Sequence, residues 1–327
     1  VKPAWRVAEV RAAEAALLAT LPPDTLMRRA AAGLARRCAL LLEERGGVYG
    51  ATVLLLVGSG DNGGDALYAG ARLAGRGAAV QALLLTPERT HGGGLAALRA
   101  AGGRTVARLP SRADLVLDGI VGIGASGGLR EPAARLVGQL AGLRGRTGQR
   151  AVLVAVDVPS GVEVDTGHVP PTNDGTSAVT ADVTVAFGAL KPALVVGPAA
   201  VRAGQVDLVD IGLGPWLRGT PALHVSEWSD VVRWWPRPGA EAEKYSRGVV
   251  GVATGSATYP GAAVLSVGGA LAGPTGMVRY AGGAREEVLR QHPSVIATGR
   301  VADAGRVQAW VCGSGLGIGE SAATELR

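Results

Sequence analysis

Residues 51–75 constrain the fold of this chain more than any other stretch. The strand-like run Ala51 to Val57, unbroken in apolar residues from Val53, leads into Gly58-Ser59-Gly60-Asp61-Asn62-Gly63-Gly64-Asp65, and an Ala/Leu-rich helical segment, Ala66 to Gly75, follows. An unbroken apolar run of that length fits a strand buried on both faces. Strand, glycine turn and helix in that order is the unit from which α/β proteins build anion sites. Glycine lets the backbone approach a phosphate, and the first N–H groups of a helix have no internal partner. The spacing is neither a dinucleotide GxGxxG nor a Walker loop, since no Gly-Lys-Ser/Thr follows. Two carboxylates and an amide in the turn need a further reason.

The pattern recurs along the chain. Ala8 to Leu42 is helical in pattern and interrupted at Pro22-Pro23, with Asp24 placed to cap the second helix. Strand-like runs follow at Ala79–Leu85, at Asp114–Leu117 ending in Asp118, at Ala151–Val156 ending in Asp157, at Val183–Phe187 and at Val206–Val209. Apolar strands alternating with helical segments predict a parallel sheet covered on both faces. A break comes at Gly212 to Pro221, then a short tryptophan-rich helix within Val225–Trp235. From Gly248 the strand, glycine turn and helix restart. A further strand at Val307–Cys312 runs into Gly313-Ser314-Gly315-Leu316-Gly317. The expectation is therefore two α/β domains, residues 1–213 and 222–327, the second truncated.

Composition excludes several classes. The net charge of +6 comes mostly from scattered arginines, with no Lys/Arg block, so a solvated surface is expected and not a nucleic-acid footprint. Gly248 to Val278 carries no charged residue, which raises a membrane span. Its Pro260, Pro274 and repeated glycines argue instead for strand, loop and buried helix. Cys38 and Cys312 are far apart and read as buried free thiols in a reducing compartment.

In open parallel sheets, ligands bind beyond the carboxyl ends of the strands. Three such ends carry polar residues here: the turn with Asn62 and Asp65, Asp118 with the glycine-rich Gly122 to Gly128, and Asp157 before Val158-Pro159-Ser160-Gly161. Clustered carboxylates repel unless a cation or a proton lies between them. Asn62, Asp118 and Ser160 offer hard oxygen ligands without His or Cys, which suits an alkali or alkaline-earth ion and not zinc. Asp157, at the mouth of a rigid turn, is the candidate general acid/base. The two glycine loops would hold a phosphorylated ligand through backbone N–H groups. His91, His168, His224 and His292 show no pairing and read as surface or structural.

These residues carry a resemblance. GSGDNGGDA, DGIVGIGASGG, VAVDVPSGVEVDTG, TADVTVAFGALKPAL and GQVDLVDIGL are similar, in order and spacing, to the NAD(P)H-hydrate epimerase domain from about Ala8 to Leu213. Pro236-Arg237-Pro238, Lys244 to Gly248, Gly255-Ser256, Tyr259 to Ala263 and Gly313 to Gly317 resemble the start of the ADP/ATP-dependent NAD(P)H-hydrate dehydratase domain. The resemblance implies a Rossmann-like three-layer α/β/α domain followed by the first part of a ribokinase-like α/β domain. It implies repair of reduced nicotinamide nucleotides that have taken up water at the ring. The epimerase interconverts the R and S hydrates, and the dehydratase restores the S form at the expense of a nucleotide.

Carried over by position, Asp61, Asn62, Gly63, Gly64 and Asp65 would contact the hydrate, with Asn62 also on potassium. Asp118 and Ser160 would bind potassium. Gly122, Ile123, Gly124, Ala125, Ser126, Gly127 and Gly128 would line the ligand phosphates, and Asp157 would contact the hydrated ring. In the second domain only Ala262 and Gly317 carry over as substrate contacts. The implied cofactors are K+ for the epimerase and Mg2+ with ADP or ATP for a complete dehydratase. The implied partner is NADHX or NADPHX, in a cytoplasmic homo-oligomer with no nucleic-acid or membrane partner.

Three departures stand out. Asp61 and Ala66 replace the first Asn and the last Gly of the family's N-N-G-G-D-G, and Ser314 replaces a Pro. The later dehydratase motifs do not occur within the chain, so no dehydratase activity is expected of it. A non-catalytic scaffold of the same fold is the alternative, against which Asn62, Asp65, Asp118 and Asp157 stand intact. A Rossmann dehydrogenase is disfavoured because Leu85-Thr86-Pro87 stands where a ribose-binding acid belongs.

Overall fold

A computed structural model describes residues 1–124, 127–171 and 177–326. The chain divides into two compact units, Val1–Ser226 and Glu227–Arg327.

The first unit opens with β1 (Lys2–Ala4), α1 (Val7–Leu18) and α2 (Thr25–Glu43). Next come β2 (Thr52–Val57), α3 (Asp61–Ala74), β3 (Ala79–Leu84), α4 (Gly92–Ala100) and β4 (Arg104–Val106). Then follow β5 (Leu115–Gly119), α5 (Ala133–Gln139), β6 (Val152–Val156), β7 (Val183–Phe187), α6 (Gly197–Ala203), β8 (Gln205–Val209) and β9 (Leu223–Val225). Seven strands form one sheet in the order β4-β3-β2-β5-β6-β7-β8, with every neighbouring pair parallel. The chain builds outward from β2 to β4, then returns and builds the other way from β5 to β8. The reversal between β2 and β5 opens a crevice at their carboxyl ends, where ligands bind in open α/β sheets.

The apolar run of β2 shows why both faces are covered. Val53, Leu55 and Val57 pack with Leu34 of α2, Leu67 of α3 and Leu98 of α4. Leu54 and Leu56 point the other way, into a core with Ala133 of α5 and Val116 and Leu153 of the neighbouring strands. This is the expected three-layer arrangement, and a strand with no polar face has no other use.

Four differences from the sequence expectation have physical causes. The glycine turn is shorter than it reads: α3 begins at Asp61, not Ala66, with Gly60 extended at its N-cap. Helical glycine costs about 1 kcal/mol relative to alanine, but packing demands it here. A Cβ on Gly63 would stand 2.3 Å from the Gly58 carbonyl oxygen, and one on Gly64 2.9 Å from Met27 Cε. Asp24 does stand at the N-cap of α2, but at φ 60 its side chain makes no capping hydrogen bond. The unit boundary falls after Ser226, and not at 213–222, because Leu223–Val225 pairs antiparallel with Lys2–Ala4. Cys38 is buried as expected, its thiol pushed up to about 12 by burial, whereas Cys312 is exposed.

The second unit contains α7 (Trp228–Trp234), β10 (Val249–Ala253), α8 (Pro260–Leu271), β11 (Met277–Ala281), α9 (Arg285–Gln291), β12 (Ile296–Thr298), β13 (Ala309–Cys312) and α10 (Glu320–Leu326). Its four strands are parallel, in the order β12-β11-β10-β13. The uncharged stretch resolves into β10, a glycine turn and α8, and no helix among the described residues is long and apolar enough to cross a membrane. Cys312 is exposed because β13 is an edge strand whose residues are all solvent-accessible.

Candidate active site

The carboxyl ends of β2, β5 and β6 meet as their strand pairing dictates. Val57 is level with Gly119, and Asp118 is level with Ala155, two residues before Asp157. The turns after β2 and β5 touch. A Cβ on Gly58 would lie 1.8 Å from the carbonyl oxygen of Ile120, so no other residue fits there without separating them. Above this seam lies a cleft of about 420 Å³, walled by Asp61, Asn62, Asp65, Gly122, Gly124 and Asp157 among others. A second cleft, of about 280 Å³, shares Glu14, Asp61, Asp65 and Phe187 with the first and adds Met27, Ile211 and His91.

Asp118 lies inside β5, fully buried among apolar strands. Burial pushes its carboxyl up to about 6, although Ser160 and Ile120 hydrogen-bond to the ionised form and pull it down. Ser160 Oγ donates to Asp118 Oδ1 at 2.6 Å, and the Ser160 N–H donates to Oδ2 at 2.8 Å. The Val121 N–H donates to Ser160 Oγ at 3.0 Å, which leaves that oxygen one lone pair. Asn62 Nδ2 donates to the Val156 carbonyl at 2.7 Å, so its Oδ1 is turned toward Gly122. Asp118 has no cationic side-chain partner among the described residues. One carboxylate with neutral oxygen donors suits a hard cation of low charge. Of the three residues expected to ligate a cation, Asp118 and Ser160 are bonded to each other, and Asn62 turns its Oδ1 to Gly122, one residue past the Val121 that bonds to Ser160.

Asp157 follows β6 at φ 65, a left-handed conformation that costs a non-glycine residue about 1–2 kcal/mol. Strain of this kind collects at functional sites when surrounding contacts hold it. Here Asp157 Oδ1 accepts the Phe187 N–H at 3.0 Å and pairs with Lys191 Nζ, which also donates to the Phe187 carbonyl at 3.0 Å. Both side chains are buried. With Oδ1 committed to β7 and Lys191, Oδ2 is left for the cleft.

Lys191 and Glu14 are the residues that sequence reasoning missed. Lys191 had a signal, being a lone basic residue just past the end of the apolar strand β7, on the same sheet edge as Asp118 and Asp157. Glu14 had none beyond its helix; with Arg11, three residues earlier, it faces the cleft from α1. That helix is set over the strand ends by β1, since the Trp5 N–H donates to the Leu190 carbonyl at 2.8 Å. Burial chiefly, then the charge of Asp157, holds the Glu14 carboxyl above its ordinary value. The same two causes, with Asp61 and Glu14 adding to them, hold Asp65 well above its own.

The remaining predicted residues divide. Asp61 is exposed in the first turn of α3, where its charge favours the helix dipole, and it faces both clefts. Gly122, Ile123 and Gly124 line the larger cleft, with Arg11 Nη2 placed 2.8 Å from where a Cβ of Gly124 would be. Gly63 and Gly64 are buried in α3 and line neither cleft. Gly127 and Gly128 line a neighbouring cleft with Ser59 and Arg130, and Ala125 and Ser126 lie outside the described residues. His91, read as structural, caps α4 by accepting the Gly94 N–H on Nδ1 at 3.0 Å and also lines the smaller cleft. In the second unit, Ala262 meets the turn after β13, 2.8 Å from a Cβ built on Gly315, while Gly317 is exposed at φ 95.

Residues 23–193, which contain all three strand ends, match the model of the YjeF-related protein N-terminus. The chain belongs to the YjeF-related N-terminus family. Residues 250–326 match a second family model, NAD(P)H-hydrate dehydratase. Among relatives, the chain is 50% identical over 325 residues to the bifunctional NAD(P)H-hydrate repair enzyme Nnr of Mycobacterium tuberculosis, covering 98% of this chain and 64% of that protein. It is 49% identical over 323 residues to the protein of the same name from Mycobacterium leprae, again covering 64% of it. The chain thus spans less than two thirds of the length of these relatives. It is 46% identical to the NAD(P)H-hydrate epimerase of Clavibacter sepedonicus, covering 64% of this chain and 90% of that protein. The YjeF-related match and the geometric site therefore fall on the same unit.

Proposed function

We propose that the first unit, domain 1–213 of the sequence reading, is an NAD(P)H-hydrate epimerase that interconverts the R and S forms of NADHX and NADPHX. The observation that carries this is the convergence on one sheet edge of Asp157 and Asn62, which line one cleft, with the buried Asp118–Ser160 pair held behind its wall through Val121, in a member of the YjeF-related family. Asp157 Oδ2 is the base that faces the hydrated ring. Asp61, Asn62 and Asp65 contact the ligand, and Gly122 to Gly128 with Arg11 hold its phosphates.

The oxygen donors of Asn62, Asp118 and Ser160 would hold K+. The buried, otherwise unneutralised Asp118 supports this assignment. When bound, K+ supplies a fixed positive charge for the ligand's phosphates and for Asp118. We place domain 222–327 at the dehydratase, with Ala262 and Gly317 as substrate contacts. In the whole repair enzyme that activity would use Mg2+ and ADP or ATP. A cytoplasmic homo-oligomer, without nucleic-acid or membrane partner, completes the reading.

The test mixes the chain with the R hydrate and a separate active dehydratase. Consumption of the R form faster than its spontaneous epimerisation is the expected result. Tight hydrate binding without acceleration would favour a binding scaffold instead.

A further inference from the structure

We propose that Asp65 is the proton donor of this site, working against Asp157 as proton acceptor across the cleft that both line. The proposal rests on the epimerase reading and assigns its second acid/base residue.

The two carboxyl groups have opposite surroundings. Asp157 is tied by Oδ1 to Lys191 Nζ and the Phe187 N–H, two donors, one of them cationic. Asp65 is 7% exposed, and its Oδ1 is buried without a hydrogen-bond partner. A buried ionised oxygen with no donor is costly, whereas a carboxylic acid at that place is neutral and has a proton to give. The charged groups around Asp65 are Asp157, Asp61 and Glu14, which all oppose its ionisation, and Lys191, which favours it. Lys191 is already paired to Asp157. Two carboxyl groups in such different surroundings, one supplied with donors and one buried without any, can divide acid and base roles between them. Asp65 lines both clefts, so a ring lying at their junction meets it directly.

The chemistry balances with these two groups alone. Water adds to an enamine at the carbon next to nitrogen, so the hydrate carries its hydroxyl on that ring carbon. Asp65 protonates the hydroxyl. The C–O bond breaks, its electron pair leaves with oxygen as water, and the ring nitrogen's lone pair forms a C=N+ bond. Water then attacks the opposite face of the same carbon, supplying the pair for the new C–O bond while the C=N electrons return to nitrogen. Asp157 Oδ2 takes the proton released. Nothing is oxidised or reduced. One water leaves and one enters, and the proton returns from Asp157 to Asp65 through water in the cleft. In the reverse direction the two exchange roles: protonated Asp157 gives its proton to the hydroxyl on its own face, and ionised Asp65 takes the proton of the water that attacks the other.

The test compares Asp65→Asn, which keeps the shape but has no transferable proton, with Asp65→Glu. In the coupled assay, Asp65→Asn is expected to lower kcat about 10²–10⁴-fold with KM within about threefold, and to remove the high-pH falling limb of the kcat profile. Asp65→Glu should recover part of the rate. Independently of activity, infrared difference spectra near neutral pH should show a protonated-carboxyl band that Asp65→Asn removes and Asp157→Asn does not. Wild-type acceleration with Asp65→Asn keeping more than about half of kcat overturns this proposal alone. A missing Asp65-dependent band also overturns it. A wild-type chain without acceleration overturns the epimerase reading and this proposal together.

Discussion

Lys191 and Asp157 form an ion pair inside the first unit although 34 residues separate them in the chain. β7 brings them together: Asp157 leaves β6, Lys191 follows β7, and Phe187 bonds to both through its backbone. The pair locks a left-handed Asp157 and decides which of its oxygens is available. Removing one partner of a buried pair strands the other charge and costs about 3–5 kcal/mol. Lys191→Ala should therefore lower stability by about that amount in urea melts. Lys191→Met combined with Asp157→Asn should lose clearly less than the sum of the two single changes.

The Asp118 carboxyl, held at about 6 against an ordinary 3.8, gives a pH signature. A carboxyl raised by the fold supports the folded state when protonated, below about pH 4. That support is lost as pH rises through about 6. The loss is on the order of 3 kcal/mol, at about 1.4 kcal/mol per unit. Asp118→Asn does not titrate, so its stability relative to wild type should rise by about that amount between pH 4 and 7. The measurement is urea unfolding in a buffer whose only cation is a bulky organic one. Replacing that cation with K+ should shrink the difference at pH 7 by stabilising the wild type alone. A difference that stays flat with pH would remove the buried charge from the account.

How much of this was legible beforehand depends on the range of the interaction. Asn62, Asp118, Asp157 and Ser160 could be found because each stands at or just past an apolar run, and the parallel sheet aligns those ends. The strand positions of β2, β5, β6 and β7 were legible because their runs are largely apolar and buried on both faces, while β3 and β8 were legible from Val and Leu around a single polar residue, Gln81 or Asp207. β1, β4 and β9, three residues each, carry no pattern to read. Glu14 and Arg11 reach the cleft only because β1 places α1 there, a tertiary relation invisible in the helix itself. The start of α3 was misread because Gly63-Gly64 looks like a loop. Their reason lies in what touches them, the Gly58 carbonyl and Met27.

That close contact separates two neighbouring glycines. Gly58→Ala would push a methyl group into the Ile120 carbonyl, at 1.8 Å in the unrelaxed structure. The turns after β2 and β5 must then part, and a loss of about 3 kcal/mol or more, or failure to fold, is expected. Gly60, two residues on, has nothing within 4 Å of its would-be Cβ and an ordinary negative φ. Gly60→Ala should cost no more than about 1 kcal/mol, the loss of a favourable N-cap residue. Thermal unfolding of the two variants side by side checks the contrast. Equal costs would show that the turns are not held by this contact.

Arg11 and Asp61 line the same cleft with opposite charge, and Gly122 to Gly124 lie beside them. Asp61 stands where the family places a neutral asparagine, so its charge opposes a ligand carrying phosphates, while Arg11 attracts it. Arg11→Ala should weaken hydrate binding about tenfold or more, since a hydrogen bond to a charged group contributes about 1.5–3 kcal/mol. Asp61→Asn should act in the other direction and tighten binding by a few-fold, at the cost of a few tenths of a kcal/mol in helix stability. Both effects should weaken as salt rises, because the residues are solvent-accessible and screened. Titration calorimetry with the hydrate at low and high ionic strength reads all three. If Asp61→Asn weakens binding instead, Asp61 accepts a hydrogen bond from the ligand, and its charge is retained for contact with the sugar or ring and not merely tolerated beside phosphate.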